Sequence, residues 1–428
     1  MMPAILSTAI FLISLFLIFS EKFNRMIAAV MGAALMLGAG LALNFYTEAM
    51  AIDAIDFNTL GLLLGMMIIV SMLEATGFFQ YMAVLAAKFS RGRPVRLLVL
   101  LGLVTTVLTM FLDNVTTVVL IAPVTILISE VLGINPIPLL MSEALLSDTG
   151  GVATLVGDPP NVLIASAANF SFNDFLTHAF PVVLVVWLIT LLFLRFIFRR
   201  ELDVPAHNTQ AVMQLNPEEA LEDRHTARRV LIVLGGAILI FFVHKLIGVS
   251  PAVVALAAAA TALVWVRPDP KQVLERVEWS VLIFFSALFI MVGGLDAAGV
   301  LHRVAELIKG FSRVQPVLFG LMLMWIVAGL SAVVDNVPIT IILIPVILEL
   351  GESGVPLGPL WWALAFGAGF GGNGTIIGST ANMIVVSLSE RTRTPITATL
   401  WNRRGLPVML LTLAVTSVIF VIAYPLYL

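Results

Sequence analysis

Two carboxylates, each followed by an amide, occur at matching points of a strongly apolar chain. The two stretches read LDNVTTVVLIAPV (112–124) and VDNVPITIILIPV (334–346). An ionisable side chain within an apolar membrane segment is costly and therefore usually serves a function. Carboxylate, amide and hydroxyl oxygens together can bind a cation. The candidate ligands here are Asp113, Asn114 and Thr116 in the first stretch and Asp335 and Asn336 in the second.

Helix capping is the alternative role for these residues. Asp or Asn before an apolar run is a favoured N-cap, and Pro338 fits a first helical turn. Capping alone does not explain why the cap lies between two apolar limbs, within 95–133 and again within 315–351. Both roles are compatible, since a carboxylate oxygen can cap a helix while a carbonyl binds an ion.

A second pair of matching stretches interrupts two further apolar segments, 137–168 and 359–389. These stretches read GGVATLVGDPPN (150–161) and GGNGTIIGSTAN (371–382). Glycine permits non-helical dihedral angles, and the Pro-Pro pair lacks two backbone donors. A broken helix is tolerated in a membrane only where it lines a protein or water-filled cavity. The freed oxygens suit a small cation, and the N-terminus of the following half-helix suits an anion.

The candidate ligands of the two breaks are backbone carbonyls and small polar side chains. They are Gly150, Gly151, Thr154, Gly157 and Asn161 in the first break, and Gly371, Gly372, Asn373, Gly374, Thr375, Gly378, Ser379 and Asn382 in the second. The alternative is that Gly and Pro only allow close helix packing. The duplication of a 12-residue pattern favours the ion-binding interpretation.

Two carboxylates have no counterpart in the second copy. Asp148 and Asp158 correspond to Gly369 and Ser379. This asymmetry makes both aspartates candidates for proton coupling. Asp158 precedes Pro-Pro, so a role as a turn residue is the alternative.

Composition places the chain in a lipid bilayer. Hydrophobic residues make up 60% of the 428 residues and charged residues 11%, against about 25% in soluble proteins. The net charge of −3 argues against a nucleic-acid partner. The absence of cysteine excludes disulfides, thiolate metal sites and cysteine nucleophiles.

Eight segments are apolar enough to cross a bilayer as helices. They lie near 4–20, 26–45, 58–73, 179–198, 230–247, 251–266, 279–293 and 406–427. The hydrophilic stretch 199–229 is predicted to be a connecting loop. The stretches 78–92 and 300–313 are amphipathic and are predicted to lie along the interface. Glu74 and Asp296 precede a glycine at helix ends and are expected to be interfacial.

The chain repeats itself at an offset of 221 or 222 residues, which relates the motifs above in pairs. We therefore predict two repeats, 1–198 and 230–428, joined by a cytoplasmic linker, 199–229. The predicted fold is an all-α polytopic membrane protein with two inverted-topology repeats of five transmembrane helices. Each repeat would contain a re-entrant hairpin and a discontinuous helix. Five crossings are an odd number, so the second repeat would enter the membrane upside down.

Charge sorting predicts the orientation. On this topology 19 of the 23 Lys and Arg residues fall on one side, which the positive-inside rule makes cytoplasmic. Only Lys245, Arg303, Lys309 and Arg313 fall on the other side. Both termini would then lie outside the cell (inner) membrane. Full two-pass hairpins would give the same parity, so the count supports the orientation rather than re-entrance.

The four motifs together resemble an ion-transporter superfamily of two inverted repeats, most closely its ArsB/NhaD permease branch. That branch includes arsenite-efflux permeases, NhaD-type sodium/proton antiporters and the melanosomal P protein, and shares a citrate transporter-like domain. The resemblance implies a homodimer. Within each chain, each hairpin tip and the facing break would bind a cation such as sodium, with the substrate between the two sites. It implies no cofactor beyond Na⁺ or H⁺ as the coupling ion.

The resemblance also assigns two sets of site residues. The first set is Asp113, Asn114, Thr116, Thr117, Gly150, Gly151, Thr154 and Asn161, and the second is Asp335, Asn336, Thr340, Gly372, Gly374, Thr375 and Asn382. The symporter branch of the superfamily has Ser-Asn-Thr at both tips, whereas this chain has Asp-Asn-Val. A fixed negative charge at each tip favours a cation or a neutral hydroxide over a dianion.

The favoured function is secondary active transport by alternating access, either arsenite efflux or sodium/proton-type antiport. In this mechanism the hairpin-bearing regions move against a scaffold. A cation-coupled symporter of an organic or inorganic anion, such as citrate or a dicarboxylate, is the alternative. No GxxxxGK[ST] loop is present, so an arsenite pump would require a separate ATPase subunit.

Two other function classes remain as remote alternatives. An intramembrane hydrolase would use Asp158, but Leu155 stands where such a motif requires glycine. The chain also lacks HExxH and GxSxG motifs, so we do not expect an enzyme. A passive channel would not need two inverted, ion-ligating breaks.

Overall fold

The chain folds into helices connected by short loops. A computed structural model describes residues 1–19, 23–204, 207–309, 315–352 and 354–428, and these residues contain no β-strand. The helices of the first predicted repeat are α1 (Met2–Phe19), α2 (Arg25–Ala42), α3 (Glu48–Asp53), α4 (Phe57–Glu74), α5 (Phe78–Ser90), α6 (Pro94–Thr109), α7 (Asn114–Leu132), α8 (Ile137–Gly151), α9 (Pro159–Ala168), α10 (Phe172–His178) and α11 (Phe180–Ile197).

The rest of the chain follows the same order of helices. The linker contains α12 (Arg199–Leu202), α13 (Thr209–Gln214) and a 3₁₀ helix (Pro217–Ala220). The second predicted repeat contains α14 (Arg224–Val243), α15 (Pro251–Val266), α16 (Pro270–Arg276), α17 (Trp279–Ala297), α18 (Val300–Lys309), α19 (Pro316–Ser331), α20 (Asn336–Glu352), α21 (Gly358–Gly371), a second 3₁₀ helix (Gly372–Gly374), α22 (Thr380–Ser389), α23 (Ala398–Ile422) and α24 (Tyr424–Tyr427).

The predicted all-α polytopic membrane fold is confirmed. Within the described residues, seven helices are long and apolar enough to cross a membrane, namely α2, α4, α7, α11, α14, α17 and α23. Six of these helices lie in the eight predicted apolar segments, α7 lies in the first predicted hairpin, and the other two predicted segments form the shorter apolar helices α1 and α15. The inverted orientation of the second repeat stays a prediction. Lys22 and Arg313, two of the sorted cations, lie outside the described residues, as does part of the amphipathic stretch 300–313.

The linker differs from the predicted loop in having helical structure. α14 begins at Arg224, six residues before its predicted start, because the Asp223 side chain accepts hydrogen bonds from the backbone N–H groups of His225 and Thr226. The short linker helices fold back on the first repeat. The Glu222 N–H donates to the Thr76 carbonyl at 2.9 Å, which fixes the linker to the turn before α5.

When two helices pack together, their counterparts at the 222-residue offset pack together as well. α4 packs on α15, while their counterparts α17 and α2 pack together. The same exchange occurs near the breaks, where α9 packs on α20 and α22 packs on α7. Reciprocal pairing is expected of two repeats related by a twofold axis, so these contacts agree with the predicted division of the chain.

Each hairpin packs on a broken helix through small residues. α6 packs on α8 and α19 packs on α21. A Cβ atom added at Gly367 would lie 2.6 Å from the Met324 carbonyl oxygen, and one at Gly371 would lie 2.6 Å from that of Ala328. Both glycines have helical conformation, so their role is to let two helix backbones approach closely rather than to allow an unusual backbone conformation. Packing of this kind is a main source of helix association in membranes.

We expect Gly367→Ala to destabilise the protein. The added methyl group meets backbone that cannot rotate away, and overpacking of this kind costs about 1–3 kcal/mol. Thermal unfolding in detergent, followed by tryptophan fluorescence, measures the loss. Gly329→Ala on α19 is the matched control because a Cβ there meets nothing within 4 Å. If the two variants unfold at the same temperature, this packing argument is wrong.

Candidate functional site

A cavity of about 290 Å³ lies where both hairpin tips and both helix breaks meet. It also contacts Arg25 of α2, and apolar side chains of α4 and α17 form one wall. Its polar and charged lining consists of Arg25, Ser71, Glu74, Asp113, Asn114, Thr116, Asp158, Arg276, Glu278, Asp335, Asn336, Ser379 and Thr380. We call this space the central cavity.

The hairpin tips cap their helices and also face the central cavity. Asp113 precedes α7, and its carboxylate accepts hydrogen bonds from the Thr116 N–H at 2.8 Å and the Thr116 hydroxyl at 2.7 Å. Asp335 precedes α20 and accepts from the Val337 N–H at 3.2 Å and from Thr380 Oγ1 at 3.2 Å. Both predicted roles, capping and exposure to a shared cavity, are therefore compatible with the geometry.

The two unmatched aspartates join the two predicted repeats. Asp148 Oδ1 accepts from Asn114 Nδ2 at 2.8 Å and from Ser379 Oγ at 2.8 Å. Asp158 Oδ2 accepts from Asn336 Nδ2 at 3.1 Å. Both carboxyls are 2% exposed. Each tip amide thus donates to a buried carboxyl of the first repeat, so the asymmetry seen in the sequence lies at the contact between repeats.

The two breaks are closed by the same hydrogen bonds. Thr154 donates to the Met110 carbonyl at the hairpin tip and accepts from the Gly157 N–H at 3.1 Å. Asn161 Nδ2 donates to the carbonyls of Gly151 and Thr154 at 3.1 and 2.8 Å.

In the second break, Thr375 donates to the Ala332 carbonyl and accepts from the Gly378 N–H at 3.2 Å. Asn382 Nδ2 donates to the carbonyls of Gly372 and Thr375 at 2.9 and 3.0 Å. Each Asn therefore spans a break of seven or more residues and pairs the carbonyls that the missing helical turns leave free.

Gly157 and Gly378 allow the two ends of each break to cross. A Cβ atom at Gly157 would lie 2.6 Å from the Gly151 carbonyl oxygen, and one at Gly378 would lie 2.6 Å from that of Gly372. Neither residue has a positive φ angle. Close approach, which the sequence left as the alternative reading, is therefore what these two glycines provide.

The predicted site residues separate into two groups. The central cavity is lined by Asp113, Asn114, Thr116, Asp158, Asp335, Asn336 and Ser379. Behind it lie Thr117, Asp148, Gly150, Gly151, Thr154, Gly157, Asn161, Thr340, Gly372, Asn373, Gly374, Thr375 and Asn382. The Thr117 and Thr340 hydroxyls donate to carbonyls of their own hairpin, at 2.9 and 2.8 Å. The second group holds the cavity-lining residues in place.

Several buried oxygens near the second break accept no hydrogen bond among the described residues. They are Asp148 Oδ2, Asn373 Oδ1 and Asn382 Oδ1. Asn373 Nδ2 donates to Thr149 Oγ1 at 3.2 Å, so this amide contacts the residue that follows Asp148 in α8. A buried acceptor without a partner costs about 1–3 kcal/mol, so it usually meets a cation, a proton or water. This chemistry fits the predicted sodium or proton.

The sequence interpretation missed the charged residues around the cavity entrance. Arg25 donates to Thr380 Oγ1 at 2.8 Å and lies 3.6 Å from Asp335, while Arg276 pairs with Glu74 at 3.1 Å. Glu278 joins them in the lining. Arg25, Glu74 and Glu278 lie at ends of apolar helices and Arg276 ends the short helix α16, where sequence reasoning assigns charges to the interface. Glu74 was expected there, and its carboxylate also faces the cavity.

Glu143 is another residue that the motifs did not indicate. It lies in α8 with 0% exposure and accepts a hydrogen bond from Thr125 of α7, and its Oε2 has no partner among the described residues. It does not line the central cavity. A carboxyl within an apolar helix was the signal available in the sequence.

We expect Asn161→Ala and Asn382→Ala each to destabilise the protein by about 1–3 kcal/mol, because two buried carbonyls lose their donor. Thermal unfolding in detergent measures this loss. Asn173→Ala is the control, since its amide donates to the Phe242 carbonyl at an exposed position. Equal melting temperatures for Asn161→Ala and wild type would contradict the closing role of this amide.

Comparison with known proteins assigns the chain to a family. The sequence model of the family described as citrate transporter matches residues 15–367. The 46 kDa membrane protein of Mycobacterium leprae is 37% identical over 428 residues, which cover 98% of this chain and 99% of that protein. The human P protein is 32% identical over 95% of this chain, which spans 58% of that protein.

A solved structure shares the fold. The crystal structure of the YdaH transporter of Alcanivorax borkumensis, described as having an unusual topology, aligns with a TM-score of 0.64 at 16% identity. The alignment covers 99% of this chain and 98% of that chain. The architecture extends over the whole described protein, and the family match covers most of its sequence. This integral membrane protein therefore belongs to the citrate transporter family, and it is a transporter.

Proposed function

We propose that this protein is a secondary active transporter that binds its substrate in the central cavity and couples transport to a proton or Na⁺. The observation that supports this most directly is the meeting of both hairpin-tip carboxylates, Asp113 and Asp335, with Asp158 in one cavity. Discontinuous helices that meet in this way are typical of transporter substrate and ion sites.

The charges around the central cavity favour a cation or a neutral hydroxide. Among the described residues, five carboxylates and two arginines line it. Arg25 and Arg276 each lie beside one carboxylate, namely Asp335 and Glu74. The remaining acids, Asp113, Asp158 and Glu278, form no ion pair within 4 Å in the described lining, although Arg25 lies close enough to Glu278 to attract it. Sodium/proton-type antiport or arsenite efflux therefore remains the favoured activity.

The coupling ion is proposed to bind between Asp148 and the second break. The unpartnered oxygens of Asp148, Asn373 and Asn382 are all acceptors, which suits Na⁺ or a proton carried by Asp148. Ser379 links this group to the central cavity, since it lines the cavity and donates to Asp148. Occupancy of the ion site would thereby change the hydrogen bonding of a substrate-facing side chain.

An anion symporter is the second candidate, and specific features favour it. α22 begins at the cavity without a side-chain N-cap in the described structure. α9 also begins there, but its first residues, Pro159 and Pro160, have no N–H group to offer an anion. Helix N-termini attract anions, and Arg25 and Arg276 add positive charge. The family description, citrate transporter, fits this alternative. A carboxylate substrate could displace Asp335 from Arg25.

Asp113→Asn and Asp335→Asn test the favoured activity. Asparagine can still cap the helix, so the main change is the loss of one negative charge. We expect each variant to lower Na⁺-driven proton movement in proteoliposomes at least tenfold, measured with a pH-sensitive dye. Asp223→Asn is the matched control because Asp223 caps α14 away from the cavity.

The same assay distinguishes the two candidates. Citrate or a dicarboxylate would be accumulated under a sodium or proton gradient only if the anion symporter is correct. The assignment of these carboxylates would be contradicted if Asp113→Asn and Asp335→Asn both transported every tested ion at the wild-type rate, with equal amounts of protein in the liposomes.

Asp148→Asn tests proton coupling separately. The variant keeps an oxygen that can accept from Asn114 and Ser379 but removes the titratable group. We expect substrate exchange across the membrane to continue while a pH gradient no longer drives accumulation. The two readouts are the exchange and the gradient-driven uptake of the same isotope-labelled substrate. Unchanged gradient-driven uptake would assign the proton to another carboxyl.

A further inference from the structure

A second cavity, also of about 290 Å³, lies at the other end of α4. Its lining includes Asn58 and Thr59 from the first turn of α4. The central cavity follows the same helix from Leu62 to Glu74, its last residue. α4 has 18 residues and is therefore about 27 Å long, close to the thickness of a bilayer core. The two cavities thus approach opposite faces of the membrane.

A thin apolar layer separates the two cavities. Leu62 of α4 lines both of them. In the first helix break, Leu155 lines the second cavity and the next residue, Val156, lines the central cavity. Leu62 is 2% exposed, Leu155 1% and Val156 6%. The layer is therefore one or two side chains thick and includes the break that also contains Asp158.

The lining of the second cavity suits a hydrated ion or polar solute. Ser166 and Asn169 contribute from the end of α9, opposite Asn58 and Thr59. Lys245 donates to the Asn169 carbonyl at 3.3 Å and lies 4.0 Å from Asp174. The rest of the lining is largely apolar, but polar side chains from three separate segments face the same space, which gives a polar solute hydrogen-bonding groups there.

We propose that the second cavity is the vestibule of the transport path on the face opposite to the central cavity, and that Leu62 and Leu155 form the barrier between them. This inference rests on the proposed function of the central cavity. Movement of the break relative to α4 would carry Asp158 from the central cavity towards the second one. A small ion or polar substrate would enter one cavity and leave through the other without a continuous pore.

Cysteine accessibility tests the position of the vestibule. The chain has no native cysteine, so single substitutions report without background. Ser166→Cys probes the second cavity and Val281→Cys probes the central cavity, and neither residue belongs to the proposed ion site. Proteoliposomes of known orientation are treated with a charged, membrane-impermeant methanethiosulfonate from one face at a time.

We expect the two cysteines to react from opposite faces. Reaction from the same face would overturn the proposal, and so would failure of Ser166→Cys to react from either face. Sidedness is measured without transport, so this test and the flux test of Asp113 and Asp335 fail independently.

Truncation of the barrier gives a second test. We expect Leu62→Ala and Leu155→Ala to leak protons down an imposed gradient, without exchange, at several times the wild-type rate. Leu64→Ala on α4 and Leu163→Ala on α9 are matched controls because these residues line neither cavity. If both barrier variants leak protons at the wild-type rate, the barrier assignment is refuted. If the control variants leak as fast as the barrier variants, the leak reflects a general loss of packing and the assignment is also refuted.

Discussion

Every backbone N–H and C=O group in the apolar interior of a membrane must find a partner within the protein, and the site of this transporter depends on that constraint. The two broken helices leave carbonyls without helical partners. Asn161 and Asn382 pair these carbonyls, and Thr154 and Thr375 fasten each break to a hairpin tip. Non-helical backbone can therefore persist at the centre of the protein, where it positions Asp158 and Ser379.

The polar network also explains how one repeat could influence the other. Asp148 and Asp158 belong to the first repeat but accept hydrogen bonds from Ser379 and Asn336 of the second. A proton or Na⁺ that changed the charge of either carboxyl would alter a contact between repeats rather than an isolated side chain. Buried carboxyls of this kind are costly in an apolar environment, which is consistent with a role in coupling.

The family description indicates an anionic substrate, whereas the charge of the cavity favours a cation or a neutral hydroxide. The family description refers to citrate, whereas three carboxylates in the described lining form no ion pair within 4 Å. The N-terminus of α22 and two arginines lie in the same cavity, so groups of both signs line it. A site that holds a substrate together with a coupling cation needs this mixture, since each charge stabilises the other in a medium of low dielectric.

The sequence by itself determined the membrane class, the positions of the helices, the hairpin tips and the breaks, because each of these follows from local composition and from a motif that occurs twice. It also identified the asymmetry at Asp148 and Asp158. Only the tertiary structure decided which oxygens face the cavity. Asn161 pairs with carbonyls of its own break and Thr154 bonds to the hairpin tip, whereas Ser379 lines the cavity and donates to Asp148. It also decided that Arg25, Glu74 and Arg276, distant in the chain, surround one entrance. Such contacts depend on how helices cross, and no local pattern encodes a crossing.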